Sequence, residues 1–271
     1  MDNRRIGLFD SGLGGLTVMK ELMRLLPEES IIYFGDTGRL PYGSKSVETV
    51  IKYTKSDINF LQSFDLKLIV AACGTASSIA LPRLAGSFSV PVMGVIDATA
   101  RHAARTTQNG CIGVIATEAS IRSDAYRQAL LAENADLRVV SVSCPLFVPL
   151  VENGYSEKEA TRLIAEDYLK PIQESGADTL ILGCTHYPLL RGVISRIMGD
   201  GVSLINPGVC VAQEARETLA AGDMLSSQAQ RDAYRFYLSD APSDFERLGS
   251  VFLERPIHGL VSQVNIEEYS I

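Results

Sequence analysis

Short apolar runs rich in β-branched residues recur along the chain, and stretches of helical periodicity separate them. Most of these runs are apolar throughout rather than alternating, which is typical of strands buried on both faces of a parallel sheet. Eight of them are predicted as strands, at residues 5–9, 31–34, 66–72, 90–92, 111–115, 137–142, 179–182 and 202–205. The alternation of strands with helices predicts an α/β fold.

Between the strands, apolar residues recur three or four positions apart, which is the spacing of amphipathic helices. This periodicity predicts helices over residues 16–26, 46–63, 118–132 and 156–175. Ser46 stands at the start of one helix, and Ser156 with Glu159 three positions later has the pattern of a capping box. Side-chain chemistry therefore supports two of the predicted helix starts.

Two breaks interrupt this alternation, one at residues 91–97 and the other at residues 206–208. We therefore predict two similar α/β domains with central, mainly parallel sheets and the active site in the cleft between them. Residues 1–96 and 208–271 would form the first domain, and residues 97–207 the second. Open α/β sheets bind ligands at the carboxyl ends of their strands, so the strand ends of both domains should face the cleft.

The composition excludes several classes of protein. With 271 residues, of which 46% are hydrophobic, the chain can bury a sizeable core, so disorder is excluded. The 25 Lys and Arg residues against 32 Asp and Glu residues give a net charge of −7, which disfavours a nucleic-acid partner. The apolar runs are far shorter than the roughly 18 residues of a membrane-spanning helix, and the N-terminal residues lack the apolar core of a signal peptide. We therefore expect a cytoplasmic protein without a membrane or nucleic-acid partner.

Four motifs follow predicted strands directly, at residues 10–15, 34–43, 71–77 and 182–188. The first, DSGLGG, would expose backbone N–H groups at a helix N-terminus and would suit a carboxylate or phosphate. Its other interpretation is a tight strand-to-helix turn capped by Asp10. The second motif, taken by itself, has the pattern of an ordinary Gly/Pro turn.

The third and fourth motifs repeat one pattern: an apolar strand, a cysteine at its end, a threonine within two residues, and then a helix. Cys73 and Cys184 are these cysteines, and they could face each other across the cleft. A cysteine after a strand is often a small buried hydrophobe, but a thiol at a helix N-terminus lies in a positive field that favours thiolate. His186 could tune or relay the proton of Cys184, or it could be a capping or packing residue.

Two opposed thiols suggest a reaction that removes a proton from one face of a carbon and returns one to the other face, which is racemisation or epimerisation. A cysteine pKa of about 8.5 lets one thiol ionise while the other stays protonated. None of the seven lysines lies at a motif-bearing strand end to hold pyridoxal phosphate, so we predict a cofactor-free mechanism. Two alternatives stay open: a hydrolase with Cys184 as nucleophile and His186 as base, and a metal site formed by Cys73, Cys184 and His186.

The segments DSGLGGL, YFGDTGRLPYG, AACGTAS, PLFVPLVENG and LGCTHYPLL occur in this order, and with them the chain resembles the glutamate racemase family of bacterial cell-wall synthesis. The resemblance extends from Ile6 to about Pro207. It implies membership of the aspartate/glutamate racemase superfamily and a cofactor-independent conversion of L-glutamate to D-glutamate for peptidoglycan. It also implies two α/β domains around one active site without a metal, and a homodimer.

The resemblance implies a role for each polar residue of these motifs. Cys73 and Cys184 match the two catalytic acid/base cysteines, of which the first deprotonates D-glutamate and the second L-glutamate. Asp10 matches the carboxylate that assists Cys73, and His186 matches the imidazole that assists Cys184. Substrate-binding positions are Ser11, Tyr42, Gly43, Gly74, Thr75, Thr117 and Thr185, and acidic positions near the cleft are Asp36 and Glu152.

One position departs from the family pattern, which usually reads Cys-Asn-Thr where this chain has Cys73-Gly74-Thr75. The missing amide predicts weaker substrate binding, so Gly74→Asn is expected to lower KM and to raise or preserve kcat. Two alternative functions stay open: an aspartate racemase or related amino-acid isomerase, and an impaired ligand-binding or regulatory homologue, the latter because of Gly74.

The remaining cysteines, Cys111, Cys144 and Cys210, match no catalytic motif. The five cysteines of the chain include no CxxC pair, which fits neither a disulfide framework nor a zinc ribbon. We therefore interpret these three as structural. His258 is expected in a C-terminal loop and is assigned no chemistry.

Overall fold

The computed structural model describes residues 2–227, 233–240, 245–257 and 261–270. The strands in these residues are β1 (Arg5–Asp10), β2 (Ile31–Gly35), β3 (Leu66–Ala71), β4 (Val92–Gly94), β5 (Cys111–Ala116), β6 (Arg138–Ser143), β7 (Thr179–Leu182), β8 (Ser203–Ile205), β9 (Tyr234–Leu238) and β10 (Val261–Gln263). His258 lies outside the described residues, so its predicted loop is not tested.

The helices of the described residues are α1 (Leu16–Leu25), α2 (Val47–Leu61), α3 (Gly74–Ile79), α4 (Leu81–Leu84), α5 (Val95–Thr106), α6 (Glu118–Arg122), α7 (Ala125–Glu133), α8 (Phe147–Glu152), α9 (Glu159–Ser175), α10 (Arg191–Met198), α11 (Pro207–Ala221) and α12 (Phe245–Leu253). Short 3₁₀ turns lie at Tyr42–Ser44, Tyr187–Leu190 and Ile266–Tyr269. None of the helices in this part of the chain has the length and apolar character needed to cross a membrane.

The strands form two sheets, and the recorded pairings in both are parallel. The first sheet has the order β10-β9-β2-β1-β3-β4, so its strands come from both ends of the chain. The second has the order β6-β5-β7-β8 and is built from the middle of the chain. The predicted α/β class with two mainly parallel sheets is confirmed. The domain boundaries after residues 96 and 207 stay a prediction.

The central strands are buried on both faces, as their uninterrupted apolar sequences predict. Alternate side chains of β1 enter two cores: Ile6 and Leu8 pack in the first, and Phe9 packs in the second. The first core continues through α1, α5 and α11 into the second sheet, where it includes Val114 and Leu180. One apolar core therefore joins the two sheets and fixes their strand ends relative to each other.

Helix boundaries show where local side-chain chemistry decides the structure. The predicted cap at Ser46 is confirmed, because its hydroxyl accepts a hydrogen bond from the backbone N–H of Thr49 at 3.3 Å. The predicted helix over residues 118–132 is wrong as a single element, since it consists of α6 and α7. Asp124 separates them with a left-handed backbone at a φ of 58°, which ends the first helix.

Three other predicted elements need correction. Ser156 is not a cap, because α9 begins at Glu159 and the residue before it, Lys158, makes no side-chain cap bond. The strand predicted at residues 90–92 is observed two residues later, as β4 (Val92–Gly94). Strands β9 and β10 were not predicted, because polar and apolar positions are mixed in both and neither is fully buried.

Candidate active site

The carboxyl ends of both sheets meet at a cleft that holds a cavity of about 280 Å³. Parallel strands end on the same side of a sheet, so the segments that follow β1, β2 and β3 lie together, as do those that follow β5 and β7. Among the lining residues are Ser11, Tyr42, Gly43, Cys73, Gly74, Thr75, Thr117, Glu152, Cys184, Thr185 and His186. The structure thus brings these sequence-predicted residues together. The other two site residues predicted from the sequence, Asp10 and Asp36, are buried and do not line the cavity.

Cys73 follows β3 and is the N-cap residue of α3. The backbone N–H of Ala76 donates to its Sγ at 3.5 Å, and the thiol donates to Ser11 Oγ at 3.6 Å. Burial raises the pKa of Cys73 to about 12, and the Asp10 carboxylate contributes to the rise. Cys73 is therefore a neutral thiol at neutral pH, because burial outweighs the hydrogen bonds from Ala76 and Ser11 that lower its pKa.

Asp10 ends β1 and is buried. Its Oδ2 accepts a hydrogen bond from the backbone N–H of Gly12 at 3.1 Å, so the carboxylate closes the glycine-rich turn. Burial raises the pKa of Asp10, while the charge of His186 lowers it in part. The negative charge of Asp10 also raises the pKa of Cys73. The two sequence interpretations of this motif, as a turn cap and as part of a site, are therefore compatible.

Cys184 follows β7 and lies beside a charged histidine. His186 Nδ1 is 3.9 Å from Cys184 Sγ, and His186 Nε2 is 3.1 Å from Glu152 Oε1. Burial by itself lowers the pKa of His186, but its hydrogen bonds with Cys184 and Glu152 raise the pKa to about 10 overall. The imidazole is therefore protonated at neutral pH, and a cation beside a cysteine favours the thiolate.

The positive charge near Cys184 does not come from a helix N-terminus, which corrects the sequence prediction. The segment that follows forms the 3₁₀ turn at Tyr187–Leu190, and α10 begins only at Arg191. His186 also packs edge-on against Phe252, with ring centroids 5.2 Å apart. The histidine therefore makes a packing contact as well as lying beside the thiol.

Hydroxyl groups from both sheets meet across the cleft. Thr75 Oγ1 lies 3.0 Å from Thr117 Oγ1, and the Thr117 hydroxyl donates to Ser120 Oγ at 3.0 Å. Sequence reasoning missed Ser120, although it stands three residues after Thr117 at the start of a helix, the spacing of a capping interaction. Its backbone N–H donates to Thr117 Oγ1 at 3.3 Å. Thr75 and Thr117 line the cavity and can hydrogen-bond a carboxylate, and the buried Ser120 holds the Thr117 hydroxyl from behind.

Sequence reasoning also missed an apolar part of the cavity lining. Val148 and Pro149 of α8 line the cavity, together with Cys144 and Pro145 just before the helix. Cys144, interpreted from the sequence as structural, is therefore part of the cavity wall. Burial raises the pKa of Cys144 above its ordinary value, so it is a neutral thiol there. The segment PLFVPLVENG had indicated this region, but nothing in its pattern distinguished wall residues from core residues.

Gly74 is in close contact with the loop that carries the second cysteine. A Cβ atom at this position would lie 2.7 Å from the backbone carbonyl oxygen of Gly183, closer than side-chain carbons approach such atoms. An asparagine here would therefore force the two loops apart. This contact argues against the expectation that Gly74→Asn improves substrate binding, and that expectation stays a prediction for the kinetics of the variant to test.

Within the described part of the chain, no three His, Cys, Asp or Glu side chains lie close enough to hold one metal ion. The donor set considered from the sequence, Cys73 with Cys184 and His186, does not form such a group. The geometry therefore does not support the metal-site alternative.

Comparison with known proteins identifies the family. The family model for Asp/Glu/Hydantoin racemase matches residues 10–215, and the chain therefore belongs to this family. A glutamate racemase from Geobacter metallireducens is 47% identical over 264 residues, which cover 97% of this chain and 97% of that protein.

Solved structures agree with this assignment. Glutamate racemase from Francisella tularensis in complex with D-glutamate has a TM-score of 0.92 and 37% identity, covering 99% of this chain and 100% of that chain. A glutamate racemase isoform from Bacillus anthracis has a TM-score of 0.91 and 38% identity, covering 97% of this chain and 98% of that chain. The resemblance drawn from the sequence motifs is confirmed.

Proposed function

We propose that this chain racemises glutamate without a cofactor, with Cys73 and Cys184 as its acid and base. The observation that supports this most is the chemical difference between two cysteines that line one cavity. Cys73 is a neutral thiol, and a protonated His186 lies beside Cys184. Relatives that are named glutamate racemases and match nearly the whole chain support glutamate as the substrate.

In the proposed reaction, the Cys184 thiolate removes the α-proton of L-glutamate, and the Cys73 thiol donates its proton to the opposite face of the same carbon. The product is D-glutamate, and the enzyme is left with a thiol at Cys184 and a thiolate at Cys73. The reverse reaction begins from that state. One proton is removed and one is delivered, so the substrate's composition does not change.

The neighbouring charges favour this cycle. His186 stabilises the thiolate of Cys184, and Glu152 keeps the imidazole protonated through the contact of 3.1 Å. The Asp10 carboxylate makes the thiolate of Cys73 a stronger base once it forms, since a nearby negative charge opposes ionisation.

The substrate's amino and carboxylate groups would be held by the polar residues of the cleft. We propose this role for Ser11, Tyr42, Gly43, Gly74, Thr75, Thr117 and Thr185, with Gly74 acting through its backbone alone. The cavity-lining hydroxyls of Thr75 and Thr117 support the proposal, because hydroxyls can donate to a carboxylate. Asp36 does not line the cavity, so we propose a supporting role for it behind the cavity lining.

We further propose that the D-glutamate serves peptidoglycan synthesis, that the chain works in the cytoplasm and that it forms a homodimer. The support for these three statements is the family resemblance. The molar mass in solution, compared with that of one chain, tests the dimer directly.

The experiment that tests the function is circular dichroism of L-glutamate and L-aspartate with the purified protein and no added cofactor. The glutamate signal should decay to zero, because the two enantiomers have equal free energies, while the aspartate signal should persist. Loss of the aspartate signal alone would favour the aspartate racemase alternative. No loss with either amino acid would overturn the proposal and favour an impaired homologue. Strict dependence on added pyridoxal phosphate would contradict the cofactor-free mechanism.

A further inference from the structure

A buried polar cluster lies behind the Tyr42–Gly43 wall of the cavity. It consists of the side chains of Asp36, Arg39, Tyr42 and Asp57, each at least nine-tenths buried. The first three come from the segment after β2, and Asp57 comes from α2. None of the sequence motifs contains Asp57.

The distances in this cluster bear on the number of protons it holds. Tyr42 Oη lies 2.5 Å from Asp36 Oδ2 and 2.8 Å from Asp57 Oδ2. Both are hydrogen-bond distances, but the phenol carries a single proton to donate. A proton on one of the two carboxyl groups gives each contact its own hydrogen.

The arginine indicates which carboxyl group is protonated. Arg39 Nε donates to Asp36 Oδ2 at 2.7 Å, so that oxygen already accepts from Arg39 and Tyr42. Arg39 Nη2 donates to Asp57 Oδ1 at 3.0 Å, which leaves Asp57 Oδ2 free to carry a proton towards Tyr42 Oη. The order of donation is then Asp57 to Tyr42 to Asp36.

Charge balance leads to the same assignment. Arg39 neutralises one carboxylate, and a second buried carboxylate would be an uncompensated charge, which is costly. Among the described residues, the other groups that contact Arg39 are not cations: Tyr53 lies under its guanidinium at 4.2 Å, and the exposed Glu267 is 3.6 Å from Nη1. Burial raises the pKa of Asp57 well above its usual range, and the Asp36 carboxylate raises it further.

We propose that Asp57 is a neutral carboxylic acid in the folded protein and that its hydrogen bond to Tyr42 positions the Tyr42–Gly43 wall of the cavity. Asp57 is a positioning residue, since it acts through Tyr42. The position of this wall matters because a Cβ at Gly43 would lie 3.0 Å from Thr117 Cβ across the cleft. A shift of Tyr42 would therefore change the cavity width. The effect on glutamate binding rests on the proposed function, whereas the protonation of Asp57 does not.

The pH dependence of stability tests the protonation. In Asp57→Asn, the amide can donate to Tyr42 and accept from Arg39, so the variant copies the neutral acid. Wild-type Asp57 is protonated when folded and ionises when unfolded, so its contribution to stability falls as the pH rises. In urea unfolding between pH 5 and 8, the unfolding equilibrium constant of wild type should rise about tenfold per pH unit relative to that of Asp57→Asn.

The exposed Asp136 provides the matched control, since Asp136→Asn should keep a pH-independent ratio to wild type. A pH-independent ratio for Asp57→Asn would mean that Asp57 is ionised in the folded protein, and it would overturn the proposal. The same measurement decides the matter even if the protein does not racemise glutamate.

The kinetics test the positioning role. Asp57→Ala should raise KM for glutamate about tenfold, the size expected for one hydrogen bond, with a smaller change in kcat. Asp57→Asn should recover most of the lost affinity. Asp57→Leu, which has a similar shape but no hydrogen-bonding group, replaces Asp57→Ala if that variant does not fold. An unchanged KM in the folded variant that lacks this bond would overturn the positioning role.

Discussion

Cys73 and Cys184 each follow a buried parallel strand, but the charge beside the thiol differs between them. Cys73 is buried near the Asp10 carboxylate, and its pKa is raised to about 12. The Sγ atom of Cys184 lies 3.9 Å from His186 Nδ1, and the other ring nitrogen of His186 contacts Glu152. Burial, with the neighbouring carboxylate, keeps the thiol of Cys73 protonated, whereas an imidazolium beside a cysteine favours the thiolate. In the proposed reaction, these surroundings make Cys73 the acid and Cys184 the base when L-glutamate is the substrate.

Removing either thiol should have the largest effect on this pair. Cys73→Ser and Cys184→Ser should each lower the racemisation rate on the order of 10³-fold or more, because serine is a poor acid and base near neutral pH. Cys111→Ser, a change in β5 outside the cavity lining, is the control and should keep most of the activity. Near wild-type racemisation by either cleft variant would rule out the two-base assignment.

Removing the imidazolium should have the next largest effect. His186→Asn should lower kcat about 10²-fold, since the thiolate of Cys184 loses its stabilising charge. Glu152→Gln keeps the ring and should cost about tenfold, as expected for a partner that only supports the charge. Steady-state kinetics give both values, with the exposed His102→Asn as control. If Glu152→Gln were the more severe change, Glu152 itself would contact the reacting atoms.

Separating the two loops should be somewhat milder. In Gly74→Ala, the new Cβ would meet the Gly183 carbonyl at 2.7 Å, so the loops must move apart and kcat should fall about 10- to 100-fold. Gly74→Asn should be at least as severe. Gly201→Ala, where a Cβ meets open space, is the matched control and should leave kcat unchanged. A lower KM in Gly74→Asn would instead restore the expectation drawn from the sequence.

The smallest effect concerns pH. The raised pKa of His186 keeps the imidazolium present up to about pH 10, so kcat/KM should fall as the pH rises through that value. L-glutamate and D-glutamate should give the same profile of kcat/KM against pH, because the equilibrium constant of racemisation is one. The acidic and alkaline limbs of this profile report the coupled ionisable groups of the site rather than one residue. Glu152→Gln should move the alkaline limb to lower pH, since its hydrogen bond helps to raise the pKa of His186. An unmoved limb would assign that ionisation to another group.

Local sequence patterns are enough to predict the two strands and the pair of cysteines at their ends. The mainly apolar runs before Cys73 and Cys184 predict buried parallel strands, and parallel topology brings their ends to one edge of each sheet. The repeated cysteine pattern predicts a pair across a cleft before any coordinates are known. The family resemblance added the neighbouring residues that line the same cavity.

The remaining features depend on contacts between distant segments. The sequence presents Gly74 as a lost amide, whereas the structure places it in close contact with the carbonyl oxygen of Gly183. Asp57 is one of several polar positions on α2, and what distinguishes it is the contact with Tyr42, which lies on another element. Strand β9 escaped prediction because it is only partly buried and has Arg235 among its apolar residues.

The most direct test of the two-base account is exchange of the α-proton in D₂O, followed by the loss of its NMR signal. Each serine variant retains one thiol and so should exchange one enantiomer without converting it. Cys73→Ser should exchange only L-glutamate, through Cys184, and Cys184→Ser should exchange only D-glutamate, through Cys73. Exchange of both enantiomers by one variant, or of the same enantiomer by both variants, would contradict the assignment of one cysteine to each face of the carbon.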